Sequence, residues 1–98
     1  MNIFEKIFLV VCSIPKGKVM TYMQVSKKAE VGNAKIVGFA LHANKNPIKI
    51  PCHRVIKSNG TLAKGYAFGG ITEQRKKLEN EGIKFNKDKV PEKYILKT

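Results

Sequence analysis

A chain of 98 residues has room for one small domain, and its hydrophobic content of 43% excludes a disordered chain. Nineteen Lys and Arg residues oppose seven Asp and Glu residues, and the resulting formal net charge of +12 favours a polyanionic partner, with nucleic acid first. An acidic membrane surface, or lysines that serve only solubility or heat resistance, are the alternatives. The longest apolar run, residues 7–12, is too short to span a bilayer, so we expect a cytoplasmic protein without a signal peptide.

Apolar residues at helical spacing predict an amphipathic helix over residues 2–14, which Pro15 and Gly17 end. Cys12 falls on the apolar stripe of this helix, and we interpret it as a small core residue. The second of the two cysteines is Cys52, so a four-cysteine zinc site is excluded, and a disulfide is not expected in a reducing compartment.

Two short helices follow around a turn that contains glycine. Thr21 and Gln24, three residues apart, form the pattern of a capping box and open a helix over residues 22–29. Asn33 then caps another helix over residues 34–43. The pair indicates either a helix-turn-helix or an ordinary helical hairpin, and periodicity alone does not separate the two.

One face of the second short helix carries Lys35, Gly38 and His42. A helix that presses against a nucleic-acid backbone needs small residues and a cation on that face. Glycine inside a helix costs about 1 kcal/mol relative to alanine. We therefore expect a compensation at Gly38, either close helix packing or close approach of DNA.

Residues 55–62 predict a β-hairpin with Asn59-Gly60 as its turn. A hairpin after a helix-turn-helix is the wing of a winged-helix fold. The predicted fold class is mainly α, a winged-helix-like DNA-binding domain made of a helix-turn-helix and a small β-hairpin wing.

Thr72 is predicted to cap a last helix that runs to about Glu81, with Gly82 as its C-terminal stop. We divide the chain into a DNA-binding domain over residues 1–85 and a basic C-terminal tail over residues 86–98. The tail is either mobile or docked on the domain through residues 94–96.

The run Pro51-Cys52-His53-Arg54 places a thiol beside an imidazole. The thiolate is the nucleophilic form, and a free cysteine with a pKa of ~8.5 is only slightly ionised near neutrality. Activation therefore needs a base or a positive field, which His53 and Arg54 can supply. Adjacent side chains in an extended segment point apart, so a direct thiol–imidazole bond and a water bridge both stay open.

Most of the chain, from about Phe4 to Ile83, resembles the C-terminal active-site domain of O6-alkylguanine-DNA alkyltransferases. The matching motifs are Ile14-Pro15-Lys16-Gly17-Lys18-Val19, Thr21-Tyr22, Val37-Gly38, Asn44, Ile50-Pro51-Cys52-His53-Arg54-Val55, Gly65-Tyr66, Gly69 and Glu81-Gly82. A related alkyltransferase-like family carries tryptophan in place of the cysteine, so Cys52 favours the reactive family.

The resemblance implies a catalytic set of Cys52, His53, Glu81, Tyr22 and Asn44. Cys52 would attack the alkyl carbon on guanine O6, and His53, oriented by Glu81, would take the thiol proton through a water. Tyr22 would stabilise the leaving guanine, and Asn44 would hold the active-site turn in shape.

The resemblance also implies that a DNA duplex is bound through its minor groove and that the target base is flipped out of the stack. Lys35 stands where the family has an arginine that fills the space of the flipped base, and lysine stacks less well there. The other residues expected to contact DNA or the base are Thr21, Gly38, Arg54, the backbone of Val55, Tyr66 and Ala67. The loop before Tyr66 is about one residue longer than usual, and Ala67 stands where some members have a hydroxyl residue.

The implied activity is an irreversible, stoichiometric transfer of a methyl or other alkyl group from O6-alkylguanine in DNA to Cys52. No cofactor, metal or membrane is implied, and a monomer suffices. The alternatives are a winged-helix protein that binds alkylated or ordinary DNA without chemistry, and a cysteine hydrolase that uses Cys52 and His53. The family often has an N-terminal domain that this sequence lacks, so we expect either a sufficient single domain or a fragment of a larger protein.

Overall fold

The computed structural model describes residues 1–63 and 66–97. The elements, in chain order, are helix α1 (Ile3–Cys12), strand β1 (Met20–Thr21), helices α2 (Tyr22–Lys28) and α3 (Ala34–His42), a 3₁₀ turn (Cys52–Arg54), strand β2 (Val55–Ile56), helix α4 (Gly70–Asn80) and a 3₁₀ turn (Glu92–Tyr94). The predicted fold class, mainly α with a small β element, is confirmed. Within the described ranges, no helix is long and apolar enough to cross a membrane.

Side chains cap α2 and α3 where the sequence indicated. Thr21 and Gln24 form the predicted capping box, since the Gln24 N–H donates to the Thr21 hydroxyl at 3.1 Å and the Thr21 N–H donates to the Gln24 side chain at 2.8 Å. Asn33 caps α3 by accepting from the Ile36 N–H at 3.2 Å. These local hydrogen bonds fix where α2 and α3 begin, and therefore how the helix-turn-helix is spaced.

Helix α4 begins at Gly70, with Gly69 and not the predicted Thr72 at the cap position. Gly69 adopts a φ of +115°, which turns the chain into the helix without a side-chain cap. A Cβ atom at Gly69 would lie 2.7 Å from the Glu73 Cβ, so only glycine fits this entry. Gly69 and Gly70 therefore determine where α4 begins, and Thr72 lies within its first turn.

Helix α4 ends at Asn80 with Glu81 as its C-cap, and Gly82, whose φ is +96°, follows as the predicted stop. The Gly82 N–H donates to the Glu79 carbonyl at 3.0 Å and the Ile83 N–H donates to the Leu78 carbonyl at 3.1 Å, which is a Schellman ending. This geometry holds Glu81 at the last turn of α4, at the side of the helix that faces the 3₁₀ turn.

The sheet differs from the predicted hairpin. Strand β2 pairs in parallel with β1, in the register Met20 to Val55 and Thr21 to Ile56. The residues around Asn59-Gly60 do form a tight turn, in which the Lys57 N–H donates to the Thr61 carbonyl at 2.9 Å. Val55 and Ile56 are fully buried, so β2 lies inside the core beside β1. Residues 57–62, on the far side of the predicted hairpin, form no strand that pairs with β2.

Two clusters of buried residues make up the core. The larger joins α1, α2 and α3 and includes Cys52 and Val55, and the smaller joins β2 and α4 with Val19 and Val90. The C-terminal segment contributes, because Val19 pairs with Ile95 and the Gln24 amide donates to the Leu96 carbonyl at 2.7 Å. Of the two alternatives for residues 94–96, the docked one is found.

Cys12 is exposed, so the prediction that it is a core residue is wrong. The buried stripe of α1 consists of Ile7, Val10 and Val11. Cys12 lies at the last position of the helix, beside that stripe, and its thiol faces the Lys49 carbonyl at 3.4 Å. Cys12 and Cys52 are both free thiols.

Candidate active site

Cys52 lies at the edge of a cavity of about 820 Å³. Its side chain is buried, and the whole residue is only 4% exposed. Six residues that line the cavity around it are Tyr22, Lys35, Gly38, Phe39, Tyr66 and Ala67. The fold thus brings five sequence-predicted site residues to the thiol from α2, α3 and the segment before α4. Phe39 was not predicted.

Cys52 and His53 are in a 3₁₀ turn, not in the extended segment that their neighbours suggested. The turn is held by the Cys52 N–H, which donates to the Ile50 carbonyl at 2.8 Å, and by the Arg54 N–H, which donates to the Pro51 carbonyl at 2.9 Å. With three residues per turn, successive side chains leave the axis in different directions. Cys52 therefore lines the cavity while His53 reaches Glu81.

His53, Glu81 and Arg54 form one hydrogen-bonded chain. The His53 Nε2 lies 3.0 Å from the Glu81 Oε2. Arg54 donates to both carboxylate oxygens, from Nε to Oε1 at 3.0 Å and from Nη2 to Oε2 at 2.7 Å, and its Nη1 donates to the Ile14 carbonyl at 2.8 Å. A bidentate arginine locks a carboxylate in one orientation, and here it fixes the group that contacts the histidine.

The Glu81 contact assigns the tautomer of His53. A carboxylate accepts, so the Nε2 atom carries the proton and donates to Glu81, which leaves the Nδ1 lone pair as an acceptor. Nδ1 is buried and has no hydrogen-bond partner among the described residues. Burial lowers the pKa of His53, against the opposite effect of Glu81, so the ring is neutral near pH 7. A neutral buried imidazole with a free lone pair is able to take up a proton.

The carboxylate behind His53 is ionised. Burial alone would raise the pKa of Glu81, but the hydrogen bonds from Arg54 and His53 outweigh it and leave the pKa below its ordinary value. Glu81 therefore carries its charge near neutrality and stabilises any proton that His53 takes up.

The Cys52 thiol itself is protonated near neutrality. Burial raises its pKa, and the Asn44 amide and the Lys77 ammonium offset only part of that rise. The positive charge expected from the sequence therefore lowers the pKa of Cys52 by less than burial raises it. Burial also raises the pKa of Tyr22, so its phenol keeps its proton and can donate it in a hydrogen bond. The thiol needs a base for activation.

Two buried amides shape the turn before and after Cys52. Asn44 is 4% exposed, donates to the Ile50 carbonyl at 3.0 Å and accepts from the Asn46 N–H at 2.9 Å, so it closes the loop that leads to Cys52. Gln74 on α4 donates to the His53 and Val55 carbonyls at 3.0 Å and 3.1 Å. Sequence reasoning missed Gln74, because nothing local marks a glutamine whose partners lie some twenty residues away.

Helix α3 presents Lys35, Gly38 and His42 to the cavity, as their spacing predicted, together with Phe39. A Cβ atom at Gly38 would meet nothing within 4 Å. Close helix packing is therefore not what compensates for this glycine. Phe39 is 66% exposed, a large apolar side chain on the same open face.

Three of the predicted DNA-contacting residues lie outside the cavity lining. The Arg54 guanidinium faces inward to Glu81, a placement that lends no support to the DNA contact predicted for it. The Thr21 hydroxyl caps α2, and the Val55 carbonyl accepts from Gln74. Gly65, in the loop before Tyr66, lies outside the described residues. Across the part of the chain that is described, no group of three or more His, Cys, Asp or Glu side chains is placed to hold a metal ion.

Comparison with known families matches residues 2–83 to the family described as 6-O-methylguanine DNA methyltransferase, DNA binding domain. The chain is 42% identical over 79 residues to a methylated-DNA–protein-cysteine methyltransferase of Methanothermobacter thermautotrophicus, an overlap of 81% of this chain and 43% of that protein. It therefore spans less than half the length of this relative.

Two further similarities come from Schizosaccharomyces pombe. Alkyltransferase-like protein 1 is 36% identical over 81 residues, an overlap of 82% of this chain and 75% of that protein. The crystal structure of Atl1 in complex with damaged DNA containing O6-carboxymethylguanine has a TM-score of 0.86 and 30% identity, and the match covers 100% of both chains.

Proposed function

This chain belongs to the family of 6-O-methylguanine DNA methyltransferase DNA-binding domains, and we propose that it is the active-site domain of a protein that removes alkyl groups from guanine O6 in DNA. The observation that carries the proposal is the Cys52 thiol at the edge of the cavity, with the His53–Glu81–Arg54 chain behind it. A nucleophile, a base and a group that orients the base are the three parts that covalent transfer requires.

His53 acts as the base. Because the pKa of Cys52 is raised, the thiol must lose its proton during the reaction, and the His53 Nδ1 lone pair accepts it through a water. Glu81 fixes the His53 ring and stabilises the imidazolium that forms. Asn44 keeps the turn that carries Cys52 in place.

The transfer is a single in-line displacement. The Cys52 Sγ forms a bond to the alkyl carbon as the bond from that carbon to guanine O6 breaks, and the electron pair of that bond stays with the guanine. Tyr22, whose phenol keeps its proton, donates toward guanine N3 and stabilises the leaving base. The proton released by the thiol balances the charge on the guanine. Cys52 ends as a thioether, so each molecule reacts once and no cofactor takes part.

DNA engages through its minor groove by the open face of α3. The net charge of +12 supplies attraction to phosphate, and binding should weaken steeply as salt rises. Gly38 lets the backbone approach, and Lys35 enters the space that the flipped base leaves. Thr21, the Val55 backbone and Ala67 complete the contacts to DNA and base, and Tyr66 forms one wall of the base pocket. One thiol per transfer makes a monomer sufficient, and the place of action is the cell's DNA.

A second function, binding of alkylated DNA without chemistry, is favoured by one observation. The match to Atl1 covers both chains completely, whereas the match to the methyltransferase relative covers 43% of that protein. In this case Cys52 is inert, and the cavity only holds the altered base. Cys52 itself favours transfer, since the thiolate is a stronger nucleophile toward an alkyl carbon than the hydroxyl, amine and imidazole groups that line the cavity with it.

The mass of the intact protein separates the two functions. After incubation with a duplex that contains O6-methylguanine, transfer adds the mass of one CH₂ to the protein and places it on Cys52. The Cys12→Ser variant should gain the same mass, and Cys52→Ala should gain none. Binding without any mass gain, equal for the wild type and Cys52→Ala, would refute transfer in favour of recognition.

A further inference from the structure

Lys77 of α4 makes a set of contacts that the mechanism above does not use. Its Nζ donates to the Tyr66 hydroxyl at 2.7 Å. The same ammonium lies 5.3 Å from the centre of the Tyr66 ring and 5.8 Å from the centre of the Phe68 ring. The two rings pack edge to face with their centroids 5.8 Å apart. One cation thus joins α4 to both aromatic residues of the segment before it.

The adjacent lysine shows that contact with these aromatic rings is not shared by every lysine of α4. Lys76 is exposed, its side chain 68% accessible, and it approaches only Glu73, at 3.9 Å. Lys77 is half-buried. A cation over an aromatic face is held more strongly where water is partly excluded, so the Lys77 contacts should persist while those of Lys76 should not.

Tyr66 lines the cavity beside Cys52, so its placement bears on the reacting thiol. Resting on the proposed function, we propose that Lys77 is a positioning residue for Cys52. It holds the aromatic wall of Tyr66 and Phe68 at the cavity, and it sets a fixed positive charge near the thiol, which stabilises the thiolate as it forms.

The charged and titratable groups around Cys52 come from several elements, and those of α3 are Lys35 and His42, which line the same cavity. Tyr22 approaches from α2 and Tyr66 from the segment before α4, and both are neutral phenols whose pKa burial raises. His53 is next in the chain and is neutral near pH 7. Lys77 from α4 is the cation that acts on the thiol, and its charge opposes the effect of burial on the pKa of Cys52. Loss of this cation should make the thiol harder to ionise.

The test uses the full chain with Cys12→Ser as background, because exposed Cys12 would also react with a thiol reagent. The rate of Cys52 alkylation by iodoacetamide is measured against pH in the absence of DNA. Lys77→Met should move the midpoint of this profile to higher pH and slow the reaction at neutral pH by about tenfold, the scale of losing one charge near a partly buried group. Lys77→Arg should restore the profile, and Lys76→Met should leave it unchanged.

A second measurement tests the hydrogen bond between Lys77 and the aromatic wall of Tyr66 and Phe68. Tyr66→Phe removes the acceptor of the Lys77 hydrogen bond but keeps the charge. It should leave the thiol profile within about twofold of the background, because the cation remains over the ring. Single-turnover methyl transfer should be slower in Lys77→Met than in Lys76→Met, with unfolding midpoints that agree.

The outcomes of the two proposals are distinguishable. An unchanged alkylation profile in Lys77→Met would overturn the role of Lys77, whatever the wild type does to damaged DNA. A shifted profile that Lys77→Arg restores supports it. A wild type that gains no mass from O6-methylguanine DNA overturns the proposed function alone, since the thiol profile is measured without DNA.

Discussion

The buried ion pair between Arg54 and Glu81 makes a quantitative prediction about the Glu81→Gln variant. The carboxylate side chain is 12% exposed and the guanidinium side chain 16% exposed, so both charges are largely removed from water. Glu81 accepts from Arg54 at 2.7 Å and 3.0 Å and contacts His53 at 3.0 Å. Glutamine has the same shape but no charge, and it leaves the Arg54 charge buried without its counter-ion.

Removing one member of a buried pair costs several kcal/mol, and the residual exposure here sets the expected loss of unfolding free energy at about 3 kcal/mol. A domain of this size has a total of about 5–15 kcal/mol, so the variant folds but with a much reduced margin. Arg54→Met should reduce the free energy of unfolding by a comparable amount, because it leaves the Glu81 carboxylate buried without its counter-ion. The double variant should lose less than the sum of the two, with a coupling of about 1–3 kcal/mol.

The assay is urea unfolding at neutral pH, with the slope against urea compared among variants so that only changes in stability are counted. Glu79→Gln is the matched control. Glu79 is also on α4 and pairs with Arg75 at 3.4 Å, but its side chain is 50% exposed, and the expected cost is about 0.5 kcal/mol or less. Equal losses for Glu79→Gln and Glu81→Gln would refute the reasoning that burial gives the Glu81 pair its strength.

Three further predictions concern chemistry and pH. In the Cys12→Ser background, alkylation of Cys52 should have its midpoint above that of a free cysteine, because burial raises its pKa; a midpoint at or below about 8.5 contradicts this. Lys35→Arg should speed methyl transfer, since a planar guanidinium fills the space of the flipped base better, and no gain in the single-turnover rate counts against that role. The free energy of unfolding should decrease in two stages as the pH is lowered, because both His53 and Glu81 have a lowered pKa in the folded state. The loss from His53 begins below about pH 6.5 and that from Glu81 below about pH 4.3. An unfolding free energy that stays flat between about pH 7 and pH 5 would contradict the His53 shift, and one that stays flat from about pH 5 to pH 3 would contradict the Glu81 shift.

Much of the fold could be predicted because its signals are local. The capping residues Thr21 and Asn33 are hydrogen-bonded to groups three residues away, and the stop at Gly82 depends on one backbone angle. Each of these patterns is complete within a few residues of sequence. The start of α4 was missed because the angle that Gly69 adopts, and not the capping pattern at Thr72, determined it.

Of the residues in the site around Cys52, some could likewise be placed from local patterns in the sequence and others could not. Residues of α3 share a face because helical spacing requires it, so Lys35 and Gly38 could be placed together from the sequence. Resemblance to a known family supplied Glu81, which lies 28 positions from His53. No local pattern joins the two, because the chain between them passes through β2 and α4.

By itself the sequence determined three short helices ahead of Cys52, two of them with their caps, a basic net charge and a thiol beside an imidazole. Tertiary structure alone decided that β2 pairs with β1, that Arg54 turns inward to Glu81, and that Lys77 meets Tyr66 beside the cavity. The physical reason is desolvation. The Glu81 carboxylate and the Cys52 thiol change their pKa, and the Arg54 guanidinium gains its partner, only when folding removes them from water, and that depends on which distant segments cover them.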